Sequence, residues 1–199
     1  MPSPRFYLAS RSPRRRELLA QAGFAYAELP SGAADVDETP HAGEAPADYV
    51  LRLARAKAAA GGRALATGGF AAMPVLTADT TVVLDGEILG KPDDDAHARA
   101  MLARLSGRSH AVLTAVALAD SAGVSDRLSS STVEFRVVGD AEIARYVASG
   151  EPRDKAGAYA IQGRAAVFVR AIHGSYSGIM GLPLFETAEL LGSRGIVPE

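Results

Sequence analysis

The sequence predicts an α/β fold, a mixed β-sheet flanked by helices around a central cleft, and three observations carry that expectation. Short β-branched runs alternate with runs of helical spacing along the 199 residues. Asp85-Gly86, set inside Val-Val-Leu-Asp-Gly-Glu-Ile-Leu, is a strong hairpin signal, so some neighbouring strands must be antiparallel. The composition, 48% hydrophobic and 22% charged, belongs to a globular chain able to bury a core. Residues 1–199 read as one domain, with no internal repeat or low-complexity linker.

Arg5–Ser10 (RFYLAS) predicts the first strand, and 13–22 the first helix, with Ser12 as N-cap and Pro13 at the favoured first position. Phe24–Leu29 predicts a second strand. A polar loop through Asp35, Asp37, Glu38 and His41 follows, broken by Pro40 and Pro46. Over Asp48–Ala60, Tyr49, Leu53 and Lys57 recur at helical spacing beside Val50 and Ala54. The Ala/Gly-rich stretch 58–72 reads as that helix's end and a flexible loop. Val75–Leu84 is β-branched and short, hence a strand. A helix follows Asp93, with Met101, Leu102 and Leu105 apolar. Ala111–Ala119 and Ser130–Val138 read as strands, Asp140 as the cap of a helix over 141–148, Ala165–Ile172 as a strand, and about 182–191 as the last helix.

Composition excludes several classes. A net charge of −2 argues against a dedicated nucleic-acid binder. With no Cys there is no disulfide scaffold, thiolate metal site or Cys nucleophile. No stretch approaches the ~18 apolar residues of a membrane span, and the first apolar run is too short for a signal-peptide core. A soluble, cytoplasmic protein is expected. His41, His97, His110 and His173 show no ligand spacing and read as structural.

The 21 basic residues comprise eighteen arginines and only three lysines, Lys57, Lys91 and Lys155. Codon bias accounts for the arginines and leaves the positions of the lysines open.

Ser10-Arg11-Ser12-Pro13-Arg14-Arg15-Arg16 places arginines in a first helical turn, where N–H groups lack partners and the dipole is positive. Exposed cations there are destabilising by ~0.3–1 kcal/mol each, and a bound polyphosphate reverses that sign. A solvated basic face is the alternative, and no P-loop pattern is present. Asp79 lies inside an apolar strand and needs a cation, a metal or donors. Lys57 lies on the stripe that should face the core, so it must snorkel, pair with a carboxylate or face a polar cleft. Lys91, in Gly90-Lys91-Pro92-Asp93, sits at a strand-to-helix turn just past the hairpin.

Eight ordered blocks carry a resemblance: LASRSPRRRELL (8–19), DVDET (35–39), YVLRLARAKA (49–58), ADTTVVLDGEILGKP (78–92), LSGRSHAVLTAVAL (105–118), YVASGEP (146–152), DKAGAYAIQG (154–163) and GLPLFETAELL (181–191). Together they resemble the Maf-like family of nucleotide pyrophosphatases, also called septum-formation-inhibitor proteins. The resemblance implies an elongated mixed sheet in two lobes, of the inosine-triphosphate-pyrophosphatase type. It implies hydrolysis of nucleoside triphosphates to monophosphate and pyrophosphate with a divalent metal, Mg²⁺ or Mn²⁺, a choice consistent with the absence of soft ligands. By motif position, Ser10, Arg14 and Arg15 would hold phosphates. Glu38 and Asp79 would serve the metal and the water, with Asp79 as proton acceptor, and Lys57 and Lys91 would neutralise the triphosphate.

The family divides by substrate, and the resemblance links Arg14, Thr80 and Gln162 to base choice. Ile161-Gln162-Gly163 matches the dTTP/UTP subgroup, whereas the 7-methyl-GTP subgroup carries Glu in place of that Gln. A Gln offers both donor and acceptor to a pyrimidine edge. Thr77, where many relatives have Gly, and a long 61–74 loop are departures from the pattern. The resemblance also suggests a homodimer and a role in nucleotide-pool cleaning or division arrest. Two competing readings are a non-enzymatic division regulator binding through Arg11–Arg16, and the same fold with a 7-methyl-GTP or purine preference. Net charge and the inward lysine disfavour the first.

Overall fold

A computed structural model describes residues 3–199. Seven strands form one mixed sheet: β1 (Tyr7–Leu8), β2 (Ala27–Glu28), β3 (Val75–Leu84), β4 (Glu87–Leu89), β5 (Ser109–Asp120), β6 (Gly123–Phe135) and β7 (Val169–His173). Their order is β2-β1-β3-β5-β6-β7, with β4 also paired to β3. The β1–β2 and β1–β3 pairs are parallel and all others antiparallel. Six helices accompany them: α1 (Pro13–Gln21), α2 (Pro46–Thr67), α3 (Asp95–Leu105), α4 (Asp140–Ala148), α5 (Tyr176–Met180) and α6 (Leu184–Gly192).

Two large apolar cores sit towards opposite ends of the long central strands. One joins Val82, Leu84 and Val112 to α3, α4 and Phe135. The other joins Leu76, Ala78, Val116 and Leu118 to Phe6, α1 and α6. A smaller core of Val50, Ala54 and Ala58 packs α2 on β5. Two lobes therefore share a continuous sheet, as expected.

The strand β3 has the predicted bounds, and the hairpin turn is built on Asp85 (φ 53°) and Gly86 (φ 82°), the left-handed pair that a two-residue turn requires. α3 is entered through Asp94, whose carboxylate accepts from the His97 amide at 2.7 Å.

Several expectations are corrected. α2 runs on to Thr67, through the stretch read as helix end and loop. Its Ala run favours helix, and Gly61 marks close packing there, since a Cβ would come within 2.8 Å of Val75 Cγ1. β6 starts at Gly123 rather than Ser130, because it pairs with β5 along its whole length across a short turn. Gly139, not Asp140, is the N-cap of α4. The strand expected from Ala165 begins only at Val169. Arg164–Phe168 is a 3-10 turn that buries Ala165 and Phe168, three residues apart, on one side. The five-residue α5 has no sequence expectation behind it. Its N-cap, Ser175, accepts from the Gly178 amide at 3.0 Å. β1 and β2 are each two residues long, shorter than expected.

Candidate active site

The topology opens the sheet at one place. β1 pairs with β3 at Val75 and Leu76, and β4 pairs with the same edge at Val82–Leu84. Between those ladders the edge of β3 over Thr77–Thr81 has no strand beside it among the described residues. A cleft of about 920 Å³ occupies the gap, and all nine residues singled out in the sequence line it. All three lysines of the chain line it as well.

Alternation along β3 sends neighbouring side chains to opposite faces. Thr77 and Asp79 turn towards α2. The hydroxyl of Thr77 donates to the Ala54 carbonyl at 2.8 Å, which gives the unusual threonine a packing role. Asp79 Oδ1 accepts from Lys57 Nζ at 2.6 Å, and the same ammonium lies 2.6 Å from Glu38 Oε1. One lysine thus clamps two carboxylates brought from a strand and a loop. Tyr49, eight residues before Lys57 on α2, donates its hydroxyl to the Glu38 carbonyl at 3.0 Å and steadies that loop.

Burial pushes the Asp79 carboxyl above its ordinary range, against the pull of Lys57 and Arg15. For Glu38, partial burial pushes upward, yet the Lys57 hydrogen bond and the charges of Lys57, Lys91 and Arg11 outweigh it and hold the group low. The two carboxylates on one ammonium are therefore shifted in opposite directions. That difference suits one to accept a proton and the other to remain charged.

Thr80 points the other way. Its Oγ1 accepts from Arg15 at 3.3 Å and lies 2.9 Å from Thr114 Oγ1. Arg15 also donates to the Gly181 carbonyl at 2.7 Å and to Ser10 Oγ at 3.3 Å. The Arg15 guanidinium therefore ties α1, β3 and the turn after α5 together, while keeping donors to spare for a ligand. Nothing in the sequence singled out Gly181, whose left-handed backbone (φ 114°) aims the carbonyl at Arg15. Arg14, Lys91 and Gln162 line the cleft without a side-chain hydrogen bond among the described residues.

At the N-terminus of α1, Ser12 has N-cap backbone geometry, but its side chain makes no capping bond, contrary to expectation. There is also no acidic residue in the first turn. Ser10 Oγ instead accepts from the Ser12 amide at 3.2 Å. The first-turn N–H groups are left to face the cleft beside Arg14, a combination that fits a phosphate. None of the four histidines lines the cleft. His97 lies 2.9 Å from Asp93, and buried His110 lies 2.8 Å from the Tyr159 hydroxyl.

The strand-edge cleft sets the arginine-bearing start of α1 against a carboxylate–lysine clamp, an arrangement that fits a phosphorylated ligand. Comparison with known proteins narrows the class: the Maf-like protein family matches residues 5–194, and the chain belongs to that family. A dTTP/UTP pyrophosphatase of Nitrosomonas europaea is 56% identical over 195 residues, covering 96% of this chain and 94% of its own. Another of that name, from Aromatoleum aromaticum, is 58% identical over 197 residues, covering 96% of each. Among solved structures, the Ham1 protein of Staphylococcus aureus aligns with 65% of this chain and 71% of its own length, at a TM-score of 0.45 and 15% identity. No helix of the described residues is long and apolar enough to cross a membrane.

Proposed function

We propose that this chain is a nucleoside triphosphate pyrophosphatase that converts dTTP and UTP to the monophosphate and pyrophosphate, working in the cytoplasm. The observation that carries the reading is the Glu38–Lys57–Asp79 clamp at the open edge of β3, facing the uncapped, arginine-bearing start of α1. Relatives more than half identical over nearly their whole length carry the name dTTP/UTP pyrophosphatase, which favours that substrate class over 7-methyl-GTP.

The residues divide the work by position. Arg14, Ser10 and the α1 amides hold the phosphate chain, while Arg15 fixes Ser10 and Thr80 in register with it. Asp79, its proton affinity raised by burial, takes a proton from a water at its free carboxylate oxygen as that water attacks the α-phosphorus. The bond from α-phosphorus to the bridging oxygen then breaks, and Lys57 and Lys91 balance charge on the departing pyrophosphate. Gln162, at the cleft mouth, offers its amide to the base.

A divalent cation, Mg²⁺ or Mn²⁺, fits this donor set. Asp79 and Glu38 address a common point now held by one ammonium, and no cluster of three or more acidic or histidine ligands exists among the described residues. Mg²⁺ is commonly held by one or two carboxylates plus substrate phosphates. When bound, the ion supplies charge neutralisation at the phosphate oxygens.

The test is pyrophosphate release from a panel of common and modified triphosphates with Mg²⁺ or Mn²⁺ present. Turnover of dTTP and UTP is expected, and Asp79→Asn should lower it by about 10²–10⁴-fold with circular dichroism unchanged. Full activity in that variant removes Asp79 as the base. Turnover of 7-methyl-GTP alone overturns the substrate class.

A further inference from the structure

Among the cations of the cleft, Lys155 is the one without an assigned task. Lys57 serves two carboxylates and Arg15 three protein oxygens. Arg11 and Arg153 face Asp35 at 3.7 Å and Asp95 at 3.5 Å. Lys155 is partly buried in the cleft wall, and its ammonium reaches only the Arg153 carbonyl, at 3.4 Å. No carboxylate lies within 4.0 Å of it among the described residues. Its proton affinity is lowered first by burial and then by the charge of Arg14. A partly buried cation with no carboxylate partner calls for an electron-rich ligand.

The loop that carries Lys155 is held in place. Asp154, Gly157 and Ala158 all have left-handed backbones (φ 62°, 67° and 59°), a costly conformation for the two that are not glycine. Gly157 lies against Val82, where a Cβ would approach to 2.9 Å, and its amide donates to the Gly90 carbonyl at 3.0 Å. The Lys155 carbonyl accepts from the Ala158 amide at 3.0 Å. Packing thus overrides local preference and sets the lysine in the cleft.

What surrounds the lysine selects the part of the ligand it meets. The phosphate-compatible groups gather on α1 and at the Lys57 clamp. Val82, Val112, Ile161 and Ile179 of the larger core also line the cleft, with Val82 packed against Gly157 of the Lys155 loop, and exposed Gln162 lines it two residues past Ala160. An apolar floor with a few polar groups at its margin suits a flat heterocycle rather than a phosphate.

We propose that Lys155 is a specificity-determining residue that donates to the 4-keto oxygen of uracil or thymine and so selects keto pyrimidines over cytosine. A cytosine presents an amino donor at that position, and an ammonium can only donate, so the two would oppose each other. The proposal rests on the pyrophosphatase reading above and adds the group that distinguishes UTP from CTP.

The experiment measures kcat/KM for UTP, dTTP and CTP in the wild type, Lys155→Met and Lys155→Arg, with inorganic triphosphate as a competitive inhibitor of each. Lys155→Met should lose about 10- to 100-fold on UTP and dTTP while CTP changes little, so that the UTP-to-CTP ratio collapses. Lys155→Arg should keep most of the ratio. The inhibition constant of inorganic triphosphate should stay at the wild-type value, which also reports that the cleft is folded. Equal losses on UTP and CTP, or weakened binding of inorganic triphosphate, overturn the proposal in favour of a phosphate contact. An unchanged ratio overturns it outright. Absence of nucleotide turnover in the wild type is a separate result, and it defeats the pyrophosphatase reading instead.

Discussion

Two polar clusters on the central strands of one sheet meet the cost of burial in opposite ways. On β3, Asp79 remains beside Lys57 and Glu38, so charge is kept and neutralised by charge. On β5, His110 lies among Phe135 and Tyr159, with ring centroids at 5.0 and 5.4 Å, and burial lowers its pKa to about 4. That cluster is neutral at physiological pH and bonded through the Tyr159 hydroxyl. The first arrangement faces the cleft, whereas the second packs into the larger core and touches the cleft only through Tyr159. Charge is retained where a substrate can use it and removed where only packing matters.

The largest expected effect breaks the charged cluster. Lys57→Met should reduce pyrophosphate release from dTTP by at least about 10²-fold, through loss of a cation at the site of developing charge. The same change removes the charge that pulls the Asp79 carboxyl down, so the acid limb of the pH–rate profile should move to higher pH. An acid limb that stays in place would show that Asp79 is not the group titrating.

A smaller effect belongs to the neutral cluster. The folded His110 pKa of about 4 lies below the ordinary 6.5, so the unfolded chain takes up a proton before the folded one does. Its burial therefore costs nothing above about pH 6.5. As pH falls towards about 4, stability should drop by roughly 2–3 kcal/mol. Urea denaturation at pH 7.5 and pH 4.5 measures the drop, and His110→Gln, which cannot titrate, should lack this step. A wild-type midpoint that does not respond to acid would mean His110 is protonated in place.

The smallest effect is that of Tyr159→Phe. Losing the bond to His110 should cost about 1 kcal/mol in the urea midpoint. The acid limb of the activity profile should not move, which separates the two clusters.

How much of this was legible in the sequence depends on whether local pattern or distant contact decided it. β3 was readable because a β-branched run ends at an Asp-Gly turn, and both signals are local. The residues of the site were readable because they break the pattern around them: a carboxylate in an apolar strand, a lysine on an inward stripe, arginines at a helix start. The continuation of α2 to Thr67 was not, since Gly61 and Gly62 look like helix breakers until Val75 is seen against one of them. Nor was the Arg15 bracket, because Gly181 lies 166 residues away along the chain. Lys155 stood out by rarity and by its place in the DKAGAYAIQG block, and only the fold shows it in the cleft wall with no carboxylate beside it among the described residues.

The gap beside β3 has a consequence for how the gene can vary. Because Asp79 and Thr80 look to opposite faces and the cleft is reached around a free edge, deleting or inserting one residue between Val75 and Asp79 would exchange those faces. Asp79 would leave Lys57, and Thr80 would leave Arg15, with every other element intact. The segment between the end of α2 and β3 carries no such constraint. Length changes should therefore accumulate at 68–74 and be absent from the neighbouring strand.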